Sequence, residues 1–367
     1  MSFNPEDVLN ALRHVDDPDI HKDLVTLNMI SHIEVSDKAV SFKVTLTTPA
    51  CPLKEKIKKD CIEAIHQYLS PDLEVKVDMD ANITSLRNTN INILPSVKNI
   101  ICVASGKGGV GKSTVAVNLA VSLARQGASV GLIDADIHGP SVPLMLGIKG
   151  RRPEVRLIKD KHFILPVDAD GIKVLSIGLL VDERQAVVWR GPMVTSALRQ
   201  FVTDCIWGKL DYLIVDMPPG TGDVHITVAQ TLNLTGAVVV TTPQEVALTD
   251  ARKALSMFSL DNINVPVIGI VENMAYFTPE ELPENKYYIF GKDGGKKLAE
   301  EYEVPFLGQI PLVQGIREGG DNGKPASVYG RENPVVAAAF DELATNVARQ
   351  VAIKNANFAA KKAETAV

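Results

Sequence analysis

Five short apolar runs punctuate the centre of the chain: Ile100-Ile101-Cys102-Val103-Ala104, Ser129-Val130-Gly131-Leu132-Ile133, Tyr212-Leu213-Ile214-Val215, Ala237-Val238-Val239-Val240 and Val267-Ile268-Gly269-Ile270-Val271. None of them alternates with polar residues, so each predicts a strand covered on both faces. Helical spacing fills the intervals, and alternation of this kind predicts an α/β fold, a mostly parallel sheet covered by helices on both faces. Ahead of it, the residues up to about Val77 read as helix, strand, strand, helix, strand. Turn signals at Asp16-Asp17-Pro18-Asp19, Ser36-Asp37 and Thr48-Pro49 punctuate that order, which predicts a small α+β domain over 1–80. Residues 81–97 are polar, aperiodic and end near Pro95-Ser96, as a linker does. The second domain is expected over 98–352. Within it Val335, Val336, Phe340, Leu343, Val347 and Val351 recur at helical spacing and predict a docked helix. The apolar face fades after Phe358, so 353–367 is expected to be a loose tail rather than a membrane anchor.

Length and composition sharpen this outline without changing it. A chain of 367 residues exceeds what one hydrophobic core usually organises, which suits two domains. No apolar run is long enough to span a bilayer, and the start, Met1 to Asp7, lacks the basic and apolar segments of a secretory signal. A cytoplasmic location is the expectation. A net charge of -6 and a pI near 5.7 argue against general attraction to nucleic acid or to anionic lipid, so neither partner is expected. Four scattered cysteines make no disulfide framework, which fits a reducing compartment.

The chemistry begins where the first apolar run ends. It leads directly into Gly106-Lys107-Gly108-Gly109-Val110-Gly111-Lys112-Ser113-Thr114, and a helical pattern follows from Val115 to Gln126. Strand, glycine-rich loop and helix is the setting of a P-loop, and the fold expected is that of a P-loop NTPase. The glycines let backbone N–H groups wrap phosphate oxygens at the positive end of a helix. Lys112 is placed between the β- and γ-phosphates of ATP, and the Ser113 hydroxyl is a candidate Mg2+ ligand. Two further strands end in carboxylates. Asp216 opens Asp216-Met217-Pro218-Pro219-Gly220 and is a candidate to hold Mg2+, while the loop after it suits a γ-phosphate sensor. Asp134 and Asp136 flank Ala135 after the second run. Asp136 is the candidate to orient the attacking water, and Asp134, nearer the strand, is a candidate to serve Mg2+ or the loop. His138 beside them carries no assignment.

The segments Lys107 to Thr114, Asp134-Ala135-Asp136 and Asp216 to Gly220 resemble the deviant Walker ATPases related to MinD and ParA. That resemblance implies an ATP-sandwiched homodimer in which Lys107 reaches the partner's phosphates, an effect worth about a thousandfold or more in rate. It also implies that Asn273, at the end of the last apolar run, contacts the base. The lack of an Asn-Lys-x-Asp guanine signature favours adenine. Further segments, His138-Gly139-Pro140-Ser141-Val142-Pro143, Val188-Trp189-Arg190-Gly191-Pro192-Met193 and Gly220-Thr221-Gly222-Asp223, are similar to the Mrp/ApbC branch of iron-sulfur cluster carrier ATPases. In the front domain, Asp16-Asp17-Pro18-Asp19-Ile20 and Thr48-Pro49-Ala50-Cys51-Pro52-Leu53 resemble the small domain of SufT-like assembly factors. The implied partners are iron-sulfur assembly factors or apoprotein clients.

One departure stands against the resemblance. In that branch a Cys-x-x-Cys pair follows Asn-Met-x-Tyr-Phe and offers thiolates to a bridging iron-sulfur cluster, whereas here Asn273-Met274-Ala275-Tyr276-Phe277 runs on to Gly291 without a cysteine. Cys61, Cys102 and Cys205 fall at apolar positions and predict packing. Cys51 differs, since Pro52 suits a first helical position and would leave the thiol near a helix N-terminus, where its pKa falls. Cap residue and reactive thiol both remain open readings, and Cys51 is the candidate cluster ligand. Two functions follow: an ATPase that assists iron-sulfur cluster assembly or transfer, or an ATP-gated dimeric scaffold of the ParA/MinD type without cluster chemistry.

Overall fold

The computed structural model describes residues 3–36, 38–48, 53–83, 93–137, 139–181, 191–279, 281–282, 284–325 and 334–364. The chain divides into two compact units, Met1–Leu86 with Val351–Val367, and Arg87–Gln350. Among the described residues no helix is long and apolar enough to cross a membrane.

In the smaller unit, α1 (Pro5–Leu12) starts on a capping box. The Asn4 side chain accepts the Glu6 and Asp7 N–H groups, and the Asp7 carboxylate takes the Asn4 N–H. A two-residue ladder of β1 (Asp16–Asp17) and β2 (Lys22–Asp23) follows. Next come β3 (Ile30–Val35), β4 (Ala39–Leu46), α2 (Lys54–Tyr68) and β5 (Glu74–Ala81), in the order the sequence predicts. Strand β4 is central, antiparallel to β3 and parallel to β5. Its alternate residues Val40, Phe42, Val44 and Leu46 are buried with Ile57, Cys61 and Ile65 of α2, so the period of two meets the helical stripe in one core.

The larger unit is an eight-stranded sheet in the order β10-β11-β7-β12-β6-β13-β14-β15. The five apolar runs lie in β6 (Val97–Ala104), β7 (Val130–Asp134), β12 (Leu210–Asp216), β13 (Gly236–Thr241) and β14 (Val267–Glu272), all parallel. Their near-complete burial is what non-alternating patterns demand. The helices between them are α3 (Lys112–Arg125), the short α4 (Val142–Met145), α5 (Gly191–Thr203), α6 (Asp223–Leu232), α7 (Glu245–Phe258) and α8 (Gly294–Glu301), with α9 (Gln314–Asp321) beyond the last strand.

Three features escaped the pattern of runs. Strands β10 (Val167–Ala169) and β11 (Ile172–Ser176) extend one edge, with β10 antiparallel, and β15 (Phe306–Gln309) closes the other. These strands are short or hold only part of a run, so little distinguishes them from loop until neighbours supply hydrogen bonds. Strands β8 (Glu154–Ile158) and β9 (Lys161–Leu165) form a separate antiparallel hairpin whose Val155 and Leu157 are exposed. The last helix, α10, runs from Pro334 to Glu364. Val336, Phe340, Leu343, Val347 and Val351 are buried as their spacing predicts, but Val335 is 62% exposed and lies off that stripe. Helix also continues through the stretch from 353 expected to be loose, where Ala and Lys supply strong helix formers.

Trp207 anchors the entry to β12. It is buried and its indole Nε1 donates to the Phe201 carbonyl over 3.0 Å. Trp207→Ala is expected to lower the unfolding free energy by about 3–5 kcal/mol through cavity formation, as read by urea denaturation followed by circular dichroism.

Candidate nucleotide site

The sheet order creates the site. The connection out of β6 runs to β7 on one side of the sheet while that out of the adjacent β12 runs to β13 on the other, and this is the switch point where α/β sheets bind ligands. Beyond Ala104 the backbone forms the glycine loop and enters α3, whose first turn carries Lys112, Ser113 and Thr114. Gly109 and Gly111 hold φ of 83° and 82°, in the left-handed region where glycine is unstrained. Gly106 is required for another reason. A Cβ there would fall 2.0 Å from the Asp250 carbonyl oxygen, because the backbone of α7 passes directly against the loop.

The loop borders a cleft of about 230 Å³ lined also by Lys107, Lys112, Ser113, Thr114, Asp136 and Pro219. Lys112 is buried, and its ammonium donates to Asp216 Oδ1 at 2.6 Å and to Ser113 Oγ at 3.2 Å, with Asp136 Oδ2 at 3.9 Å. The structure thus brings Lys112, Ser113, Asp136 and Asp216 to one point from the ends of three strands. Burial raises the Asp216 carboxyl above its ordinary range, while the Lys112 ammonium and the Ser113 hydroxyl oppose the rise. Asp216 Oδ2 is buried without a hydrogen-bond partner. An orphaned carboxylate oxygen close to a serine hydroxyl is a donor set that fits Mg2+.

Asp134 stands differently. Its Oδ2 accepts the Ser176 hydroxyl at 2.9 Å and the Val142 N–H at 3.4 Å, and its Oδ1 accepts the Asp136 N–H at 3.2 Å. Both of its oxygens are already taken by these donors, whereas Asp216 keeps an unpartnered one, so of the two roles expected for Asp134 the geometry favours holding the loop. Ser176, at the end of β11, was not legible as its partner, because pairing of β11 with β7 comes only from the sheet.

Asn273, at the end of β14, donates from Nδ2 to the Val110 carbonyl at 2.8 Å. Its amide therefore grips the P-loop, and a Cβ on Gly111 would lie 2.2 Å from the same nitrogen. The following residue, Met274, is held at φ 53°, in the left-handed region that favours glycine. Asn273 and Met274 border a second cleft of about 250 Å³ with Leu144, Leu312 and Ile316, and Gly111, Thr114, Ser141 and Met145 belong to both clefts. A polar cleft joined to an apolar one suits a phosphate chain joined to a planar base.

Cys61, Cys102 and Cys205 are buried, and burial pushes each thiol up to about 12. They are packing residues, as their spacing predicts. Cys51, His138 and Arg190 lie outside the described residues.

Sheet order, glycine loop and paired carboxylates together define the class: a P-loop nucleotide-binding protein with a parallel, doubly covered sheet. Residues 96–348 match the model of the ParA family, described as NUBPL iron-transfer P-loop NTPase, and residues 5–78 match that of an iron-sulfur cluster assembly protein. The chain belongs to this Mrp/ApbC/NUBPL family of iron-sulfur cluster carriers. It is 49% identical over 350 residues to the iron-sulfur cluster carrier protein of Synechocystis sp., covering 95% of this chain and 96% of the relative. The protein of that name from Escherichia coli K12 is 41% identical over 345 residues, 94% of this chain and 91% of its own. Among solved structures, a nucleotide-binding protein of Archaeoglobus fulgidus in complex with ADP superposes with a TM-score of 0.55 at 38% identity, over 64% of this chain and 89% of that one.

The buried carboxylates make stability depend on pH. Burial first, and the Asp216 carboxylate second, push Asp134 up to about 8 from 3.8, against Ser176 and Lys112. A carboxyl so raised keeps its proton in the fold where the unfolded chain has lost it. Its contribution is complete below the unfolded value and is lost as pH rises toward the folded one. For the metal-free protein, unfolding free energy is expected to fall between about pH 4 and pH 8, and Asp134→Asn to flatten that slope, as measured by urea titrations across the range.

Proposed function

We propose that this protein binds and hydrolyses ATP and couples hydrolysis to the assembly of iron-sulfur clusters or their transfer to apoproteins. The observation that carries this reading is the convergence of Lys112, Ser113 and Asp136 at one cleft beneath the glycine loop, with the buried Asp216 paired to Lys112. Family membership across nearly the whole length supports the cargo.

In this reading the loop N–H groups and the N-terminus of α3 bind the phosphate oxygens, and Lys112 turns from Asp216 toward the β- and γ-phosphates. Ser113 and Asp216 would hold Mg2+, directly or through water. When bound, that ion neutralises charge on the phosphate oxygens. Asp136 orients a water for attack on the γ-phosphorus and accepts its proton, as the bond to the β-phosphate oxygen breaks and ADP leaves. The apolar cleft beside Asn273 takes the adenine. Lys107, at the rim of the phosphate cleft, acts across a homodimer on the partner's phosphates, so that hydrolysis is tied to opening and closing of the dimer.

The cargo site has its own chemical requirement. A bridging cluster needs thiols that can reach it, and Cys61, Cys102 and Cys205 are buried among apolar side chains, where burial raises the thiol. Cys51 is then the candidate ligand, sharing a cluster with groups from a second chain. The missing Cys-x-x-Cys supports the second reading, an ATP-gated scaffold that carries no cluster.

Lys112→Ala is expected to abolish ATP binding, whereas Lys107→Ala keeps affinity and loses about a thousandfold in turnover. Equilibrium dialysis and phosphate release separate the two, and ATP affinity unchanged in Lys112→Ala would refute the site. Anaerobic reconstitution of wild type and Cys51→Ala tests the cargo. Charge-transfer absorbance in wild type alone supports a cluster at Cys51, and none in either protein removes direct carrying.

A further inference from the structure

His225 stands in the first turn of α6, where the loop after Asp216 ends. Its side chain is 2% exposed, and neither Nδ1 nor Nε2 has a hydrogen-bond partner. A buried imidazole with both nitrogens unpaired forfeits the bonds it makes in water, an arrangement an apolar side chain would avoid. What surrounds it is specific. The carbonyls of Pro218 and Gly222 lie close enough to favour a protonated ring, although neither is hydrogen-bonded to it and the Gly222 carbonyl accepts the His225 backbone N–H at 3.0 Å, and the charges of Lys112 and Asp136 both reach the ring.

The loop above the ring is tethered from the other side. Met217 N–H donates to the Val103 carbonyl and Gly220 N–H to the Ser105 carbonyl, so the loop leans on the end of β6. Gly220 holds φ at 96°, a conformation only glycine takes without strain, and Pro219 lines the phosphate cleft. One face of Pro218–Gly222 therefore meets the cleft while His225 lies beneath it. Burial favours the neutral ring, which carries one donor and one acceptor and is equipped to bind a backbone carbonyl and a backbone N–H together.

We propose that His225 is a positioning residue for ATP hydrolysis. When a γ-phosphate draws the Pro218–Gly222 loop toward the cleft, the ring pairs with it, donating to the Pro218 or Gly222 carbonyl and accepting a loop N–H. These bonds fix the loop, and with it Asp216, in the arrangement that hydrolyses ATP. His225 touches no substrate and acts through the loop. The inference rests on the ATPase reading above.

The test compares full-length wild type, His225→Leu, His225→Asn and Lys112→Ala in ATP affinity, turnover, Tm and amide exchange of residues 217–222 with a non-hydrolysable ATP analogue. For His225→Leu the expectation is a kcat lowered about tenfold or more with ATP affinity within about twofold. Its Tm should equal or exceed that of wild type, because an unpaired buried group has been removed. The analogue should slow exchange across the loop in wild type and fail to do so in His225→Leu. His225→Asn, whose amide keeps a donor and an acceptor, should recover part of the turnover. Wild-type turnover in His225→Leu would overturn the proposal, as would a rate that falls only in step with a lower Tm and is no better in His225→Asn. If Lys112→Ala binds and hydrolyses ATP as wild type does, the ATPase site itself is wrong and both readings fall.

Discussion

The contact between Lys112 and Asp216 is the constraint around which the large unit is arranged. Both groups are buried, and removing two charges from water is costly unless each meets the other with good geometry. That geometry needs two distant segments in register. Strand β12 lies parallel to β6, with Asp216 opposite Val103, so the carboxylate arrives beside the loop that presents the ammonium. Lys112, Ser113 and Asp216 form one hydrogen-bonded set, and Asp136 adds charge at longer range. In the proposed reading, a phosphate chain with a divalent cation would replace that set with another of the same charge logic, letting a structural ion pair double as a nucleotide site.

The loop that carries Lys112 is held from two sides without occupying its own opening. The backbone of α7 passes against Gly106, and the Asn273 amide takes the Val110 carbonyl while sitting where a Cβ of Gly111 would be. Binding geometry set by neighbours rather than by the loop's own stiffness leaves little ordering to be done when ligand arrives. Asn273 also lines the apolar cleft, so the clamp on the loop is one of its walls as well. On the opposite flank, Asp134 ties β7, Ser176 of β11 and the start of α4 together and leaves the cleft to Asp136.

Cluster chemistry makes a different demand. Thiols bind iron only as thiolates, and burial among apolar side chains raises a thiol's pKa rather than lowering it. Cys61, Cys102 and Cys205 are thereby chemically quiet, each serving the core of its own unit.

The sequence by itself determined what depends on neighbours along the chain. Non-alternating apolar runs announced the buried parallel strands, the order of elements in the small unit was readable from its turns, and the glycine loop between strand and helix named the phosphate site with Lys107, Lys112 and Ser113. Asp216 was legible because it follows a run directly, and Asp136 because it stands just beyond another, past Asp134 and Ala135. Tertiary structure decided what depends on who lies alongside. It turned Asp134 toward Ser176, placed the Asp250 carbonyl against Gly106, and set the Asn273 amide on the Val110 carbonyl. It also left His225 unpaired under the Pro218–Gly222 loop, where a single histidine in an amphipathic helix carries no local mark. The physical reason is range. Periodicity and turn chemistry act over a few residues, whereas burial, ion pairing and backbone approach are properties of strands and helices that meet only when the sheet is built.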